Sequence, residues 1–241
     1  MGEFFGERVA AFYDERSAAM STPEAVVPVV DVLADYADGG RALEFAIGTG
    51  RIALPLAERG VTVAGVDSSE AMLRRLRAKP GAERIEAVEG DMTTTRLDGE
   101  FGVVYLVFNT ISNLTTQDAQ VACFENASAH LRPGGRFVIE NNVPAVQSLQ
   151  PGETVRPFRA DPAGFSFDVY DVVTQRFSSQ HFYIVDGILE AFPVEFRYAW
   201  PAELDLMARL ARLRLEHRWA GWEQQPFTAL SPSHVSVYVK S

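Results

Sequence analysis

Cysteine is almost absent from this chain. The single thiol, Cys123, excludes an internal disulfide and a cysteine-built zinc cluster, and its apolar neighbours on a predicted helix mark it as packing. Long apolar runs are absent too: none approaches the ~20 residues of a membrane-spanning helix. The opening Met1-Gly2-Glu3-Phe4-Phe5-Gly6-Glu7-Arg8 lacks the basic-then-apolar order of a signal peptide. Positive charge is short, with 22 Lys and Arg against 32 Asp and Glu for a net charge of −10, which disfavours nucleic acid as a partner. The one basic cluster, Arg74-Arg75-Leu76-Arg77-Ala78-Lys79, falls on one predicted helix and reads as a solvated face. Histidine is scarce, and no histidine stands at metal-ligand spacing from a carboxylate, so no metal is expected. These shortages point to a cytoplasmic protein, monomer or homodimer, with a small-molecule partner and no membrane partner.

What is present is a chain of 241 residues, 47% apolar, enough for one full core and an appendage. Its most informative stretch is Leu43-Glu44-Phe45-Ala46-Ile47-Gly48-Thr49-Gly50-Arg51. Residues 41–47 read as a buried strand and 50–59 as a helix stopped by Gly60. A glycine turn there lets a ligand approach bare backbone at a helix N-terminus. Asp67 closes a second apolar run, 61–66, where an acid can bind the hydroxyls of a ribose. The pattern fits a dinucleotide fingerprint, with a pyrophosphate at the helix start. It equally fits S-adenosylmethionine, which brings an amino acid and a sulfonium to the turn. Glu44, four residues before Gly48, favours the second ligand, because a carboxylate attracts those cations and repels a pyrophosphate.

Two helices are expected within residues 1–37, the first with Val9, Phe12 and Tyr13 on its apolar face. Strands at 41–47, 61–66, 85–88, 103–107 and 136–140 then alternate with helices at 50–59, 69–78 and 116–131. Ser68 or Ser69 can cap the second of these. Five such strands imply a doubly wound, mostly parallel sheet. After Asn142 the runs 165–173, 181–185 and 194–198, with Asp186-Gly187 as a hairpin signal, imply a small antiparallel insertion. A helix from Trp200-Pro201 to about Leu213 and strands at 216–219 and 234–240 close the chain. The expected division is a helical lid (1–40), an α/β core (41–142), the β insertion (143–200) and the last helix with its closing strands (201–241).

Four blocks in this order carry a resemblance: the glycine turn, Gly65-Val66-Asp67-Ser68-Ser69-Glu70-Ala71-Met72-Leu73, Glu89-Gly90-Asp91-Met92 and Leu131-Arg132-Pro133-Gly134-Gly135. Together they resemble the class I S-adenosylmethionine-dependent methyltransferases over nearly the whole chain. The resemblance implies a Rossmann-like seven-stranded sheet with N-terminal helices, and S-adenosylhomocysteine as the cofactor's product. It implies that Ala46, Gly48 and Gly50 lie against the methionine part of the cofactor, with Glu44 helping to hold it. Asp67 would take the ribose, Ser68 and Met72 would pack beside the adenine, and Asp91 and Met92 would bind its amino edge. Phe108 and Asn109 would floor the site. Ala46 departs from the glycine often found there. The insertion and Phe12-Tyr13-Asp14 look like the small-molecule N- and O-methyltransferases, such as amino-sugar N-methyltransferases, in which an N-terminal tyrosine packs near the transferred methyl; Tyr13 is that candidate.

The implied reaction moves a methyl group to O or N of a small organic acceptor. Glu140, at the ligand-binding end of the fifth strand, and His181, in the insertion, join Tyr13 as candidate catalytic residues. His130 reads as structural, a cation at a helix C-terminus, and His217 and His234 as remote. Phe158, Phe165, Phe167, Tyr170, Phe182 and Tyr183 either line an apolar pocket or pack the small sheet. The alternatives are a nicotinamide-dependent oxidoreductase and a non-catalytic S-adenosylmethionine-binding protein.

Overall fold

Runs of wholly buried residues become the central strands, as in β4, where every side chain is covered, the mark of a parallel strand packed on both faces. The computed structural model describes residues 6–185 and 187–241. Its strands are β1 (Arg41–Phe45), β2 (Thr62–Asp67), β3 (Ile85–Glu89), β4 (Phe101–Leu106), β5 (Leu131–Asn142), β6 (Val155–Asp161), β7 (Gly164–Asp171), β8 (Arg176–Val185), β9 (Ile188–Arg197), β10 (Leu213–Trp219) and β11 (Ser233–Lys240). Its α-helices are α1 (Glu7–Arg16), α2 (Pro23–Ala37), α3 (Ala53–Glu58), α4 (Glu70–Arg77), α5 (Gln117–His130) and α6 (Pro201–Leu210).

Seven strands form one sheet in the order β10-β11-β5-β4-β1-β2-β3. All run parallel except β11, which pairs antiparallel with both β5 and β10. The order reverses between β1 and β4, the switch point where open α/β sheets bind ligands at their carboxyl ends. One face packs Phe124, Leu204 and Met207 of α5 and α6 against Phe137 and Ile139. The other packs Val30, Leu33, Leu56 and Leu73 of α2, α3 and α4 against Val103 and Val138. Helix α1 lies outside these layers, touching the start of α4 through Ala10 and Tyr13 on Met72; Phe12 is half exposed.

A second sheet, β6-β7-β8-β9, is wholly antiparallel and spliced between β5 and α6. Strands β8 and β9 pair as far as Val185 and Ile188; Asp186 of the expected hairpin lies outside the described residues. Three boundaries differ from the sequence expectation for local reasons. Helix α3 begins at Ala53, because Gly50 is left-handed at φ 82°. Strand β5 starts at Leu131, with a register irregularity in β4 between Phe101 and Val103. Helix α6 stops at Leu210, and Arg212 at φ 59° turns the chain into β10. No helix among the described residues is long and apolar enough to cross a membrane.

Candidate active site

The turn after β1 is built by three left-handed residues, Ala46, Gly48 and Gly50. A Cβ on Gly50 would meet Leu76 Cδ1 at 2.3 Å, so α4 seals the inner side of the turn. A Cβ on Gly48 would meet only Ala46 O at 4.0 Å, so the outer side is open to a ligand. Asp67 ties the turn to the next strand: its carboxylate accepts Gly48 N–H at 2.7 Å and Ser69 N–H at 2.8 Å. Burial raises the Asp67 pKa, and those two donors oppose the rise. Ser69, not Ser68, caps α4 by accepting Met72 N–H at 3.2 Å; Ser68 stands half-buried beside it.

Beneath the turn, Glu44 is 4% exposed. Burial pushes its pKa up to about 8, opposed chiefly by the hydroxyl of Tyr105, which donates to Glu44 Oε2 at 3.0 Å. The strand register explains the pair, since Glu44 and Tyr105 are opposed across β1 and β4. Arg51 is the nearby cation, donating to Met20 O at 3.1 Å, with its guanidinium over the Phe108 ring at 5.6 Å.

Helix α1 is fastened over this turn. Asp14 accepts the Thr49 hydroxyl at 2.5 Å and pairs with Lys79 at 2.7 Å. Lys79 also donates to Thr49 O at 2.8 Å. Tyr13 is thereby held beside Arg51, Asp67 and Glu44, and burial, the largest influence, raises its pKa. A neutral phenol results near pH 7.

The loop after β3 leaves Asp91 exposed, one carboxylate oxygen accepting both the N–H and the hydroxyl of Thr93 at 2.7 Å. Met92 is buried, and its carbonyl accepts Asn126 Nδ2 at 2.8 Å. His130 completes the anchorage: Nε2 accepts Leu97 N–H at 3.0 Å and Nδ1 faces Asn126 O at 2.8 Å. Such partners require the neutral ring, and burial lowers its pKa. His130 is structural, but as a neutral hydrogen-bonding ring and not as a helix-end cation.

After β4, Phe108 and Asn109 are both left-handed, at φ 59° and 57°, a costly arrangement for non-glycine residues. Glu140 holds it: its Oε2 accepts Phe108 N–H at 2.8 Å, and its carbonyl accepts Asn109 N–H at 3.2 Å. Asn109 Oδ1 accepts Asn142 N–H at 2.5 Å. Above this floor and beneath the second sheet lies a cavity of about 730 Å³, within the usual size of ligand pockets. Tyr13, Phe108, Asn109 and Asn141 line its lower part, and Arg156, Phe158, Asp168, Tyr170, Phe177 and Ser179 its roof.

The structure thus brings Tyr13, Phe108 and Asn109 to the cavity wall, with Tyr13 beside Glu44 and Asp67. Glu140 and His181 are not on that wall. His181 Nε2 sits 3.2 Å from Ser179 Oγ, its ring between those of Phe158 and Tyr183. Of the aromatic residues weighed from sequence, Phe158 and Tyr170 line the cavity. Phe165, Phe167 and Phe182 stack on the opposite face, Phe165 on Phe182 at 4.7 Å. His234 is not remote: it is buried as the cross-strand partner of Asn141. Sequence reasoning gave no role to Arg51, Asn141, Arg156 or Asp168, for which the only signal was position at a strand end or in the insertion.

Comparison with known proteins agrees with this geometry. Residues 42–135 match the family model described as a methyltransferase domain. The chain is 31% identical over 199 residues to the cypemycin N-terminal methyltransferase of a Streptomyces species, covering 80% of each protein. The structure of the CcbJ methyltransferase from Streptomyces caelestis superposes with a TM-score of 0.85 at 35% identity, over 99% of this chain and 98% of that one. CalS10, an amino pentose methyltransferase from Micromonospora echinaspora seen with bound S-adenosylmethionine, shares the fold at a TM-score of 0.66 and 21% identity, over 89% of each chain. With a relative matched over four-fifths of its length and the glycine turn, buried acid and strand-end acid in place, the chain belongs to the S-adenosylmethionine-dependent methyltransferases.

Proposed function

We propose that this methyltransferase acts on nitrogen, methylating an amine of a small organic acceptor held under the second sheet. The observation that carries the reading is the cavity of about 730 Å³ floored by Tyr13, Phe108 and Asn109, with Tyr13 beside Glu44 and Asp67 and Arg51 over the Phe108 ring. The N-terminal methyltransferase among the similar proteins supports an amine over a hydroxyl. The net charge of −10 argues against a nucleic-acid acceptor. In this reading the enzyme is cytoplasmic, monomeric or dimeric.

The residues fit the cofactor by their own geometry. The open side of Gly48, with Ala46 and Gly50, receives its methionine part, and Glu44 lies beneath. The Asp67 carboxylate oxygens each retain a lone pair for a ribose hydroxyl. Ser68 and Met72 flank the adenine, Asp91 keeps one oxygen for its amino group, and Met92 offers its backbone N–H. When bound, the cofactor supplies a methyl carbon already activated on a sulfonium, so that the acceptor lone pair forms the new bond while the S–CH3 pair returns to sulfur. Alignment and exclusion of water are then the protein's task. Tyr13 orients the methyl and the acceptor, Glu140 acts by fixing Phe108, and His181 steadies the roof through Ser179.

Tyr13→Phe, which keeps the ring and removes the hydroxyl, is expected to lower kcat by about 10- to 100-fold, the scale of a lost alignment. Its S-adenosylhomocysteine affinity should stay within about twofold by calorimetry; unchanged turnover would remove Tyr13 from the reaction. A second expectation concerns Glu44, whose pKa of about 8 leaves it mostly protonated at pH 7. Two cofactor cations nearby favour its charged form, so binding S-adenosylmethionine should release close to one proton. Calorimetry in two buffers of different ionisation enthalpy reads that proton, and Glu44→Gln should abolish it. The function itself is tested with methyl-labelled cofactor on amino sugars, amino-acid amides and short peptides beside their hydroxyl counterparts. Label on nitrogen supports the reading; label only on oxygen, or none despite cofactor binding, overturns it.

A further inference from the structure

Asn141 is 2% exposed, lies on the cavity wall, and its Oδ1 has no hydrogen-bond partner. Of the residues with a buried, unpartnered side-chain polar atom among the described residues, Asn141 is the one that lines the cavity. Its neighbours there are committed. Asn109 Oδ1 holds Asn142 N–H, Asn113 Nδ2 donates to Thr110 O, and the Tyr170 hydroxyl donates to Asp168. Native folds satisfy buried polar atoms, and an exception on a residue that lines a ligand cavity marks a group waiting for a ligand donor.

The sheet explains why Asn141 and not Glu140 reaches this place. Successive side chains on a strand point to opposite faces. Phe137 and Ile139 pack on the α5–α6 face, as Asn141 does by period, whereas Val138 packs on the other. Across the ladder, His234 opposes Asn141. It is wholly buried, with Nδ1 2.8 Å from Ser236 Oγ, and burial lowers its pKa to about 4, leaving it neutral. His234 therefore adds no charge beside Asn141, and the Glu140 carboxylate, next on β5, points to the opposite face and accepts Phe108 N–H at 2.8 Å. The titratable groups that share the cavity wall are Tyr13 below and Arg156, Asp168, Tyr170 and Tyr198 above.

Resting on the proposed N-methylation, we infer that Asn141 is an acceptor-binding residue whose carboxamide oxygen takes the N–H of a neutral primary or secondary amine. An ammonium has no lone pair to attack with. A carboxylate at this position would favour the ammonium, because an opposite charge stabilises the protonated form. An amide oxygen accepts the same N–H without that bias, so it orients the amine and leaves its lone pair available. In the step, nitrogen bonds to the methyl carbon, the S–C pair leaves with sulfur, and the extra proton departs from the alkylated nitrogen to water. A secondary amine becomes tertiary, loses its N–H once deprotonated, and so loses its hold on Asn141; methylation stops there.

The test uses alaninamide, whose amine titrates at about 8, and propionamide, which lacks the amine. Both are titrated into 15N-labelled protein saturated with S-adenosylhomocysteine. Alaninamide at pH 9 should shift the Asn141 side-chain amide signals and bind at least tenfold tighter than at pH 6.5, or than propionamide at either pH. Asn141→Ala should reduce alaninamide to the propionamide level, and Asn141→Asp should reverse the pH preference. All variants should keep wild-type S-adenosylhomocysteine affinity, the control for folding. Static Asn141 signals, an unchanged affinity in Asn141→Ala, or no alaninamide binding by wild type overturns the inference. Failure of wild type to bind S-adenosylhomocysteine would instead strike the methyltransferase reading.

Discussion

Asp67→Ala should weaken S-adenosylmethionine and S-adenosylhomocysteine binding by about 100- to 10,000-fold. Hydrogen bonds to a charged group contribute about 1.5–3 kcal/mol each, so two ribose hydroxyls are together about 3–6 kcal/mol. The substitution also strands Gly48 N–H and Ser69 N–H, which Asp67 now accepts at 2.7 and 2.8 Å. The turn and the start of α4 therefore lose their common anchor. Asp67→Asn separates the two contributions: it keeps the size and one acceptor oxygen, and should fall between wild type and alanine. Calorimetry with both nucleosides reads the effect. Near wild-type affinity in Asp67→Ala would remove Asp67 from the ribose.

The largest loss of stability is expected from Arg197→Met. Arg197 is 5% exposed at the end of β9. It donates to Gln120 Oε1 at 2.5 Å, Glu203 Oε1 at 2.6 Å and Gln175 Oε1 at 3.3 Å. Removing one partner of a buried pair leaves the other charge uncompensated, which costs about 3–5 kcal/mol. For a chain of this size that corresponds to a fall in Tm of about 10 °C. The double variant Arg197→Met with Glu203→Leu should recover most of it. Acid sensitivity carries the same signature. Burial acts to raise the Glu203 pKa, but Arg197, Gln175 and Gln117 hold it below its ordinary value. A depressed carboxylate stabilises the fold above its unfolded pKa, and that stability is lost as pH falls through the folded value. Wild type should therefore lose stability below about pH 4.5, and Arg197→Met should lose less of it there. Equal melting of both proteins at pH 7 would sink the assignment.

The glycine turn and the acid that anchors it were legible in sequence because their geometry is local. A glycine turn after an apolar run and an acid at the next strand end each sit within a few residues of the backbone they shape. The acceptor half was not legible, because it depends on which sheet face the insertion covers. Glu140 and Asn141 are adjacent in sequence, and only the phase of β5 decides that one supports Phe108 and the other meets the cavity. The aromatic residues of the insertion divide the same way. Tyr170, Phe177 and Phe196 face inward, while Phe165, Phe167 and Phe182 stack outward, and their residue types do not distinguish the two. A helix-end position suggests a cation at His130, but the fold gives it a neutral role, since its partners Leu97 and Asn126 come together only there.

The second sheet leaves the core after β5 and returns before α6, both within one crossover. This makes it an exchangeable cassette. A roof from a relative can be spliced between Asn142 and Trp200 without cutting any strand that carries the cofactor turn. The constraint is a pair of rivets: Arg197 and Gln175 must come with the graft, since Gln120 and Glu203 stay behind in the core to receive them. With the acceptor held where we propose, its range can drift, or be engineered, while the strands of the glycine turn remain untouched.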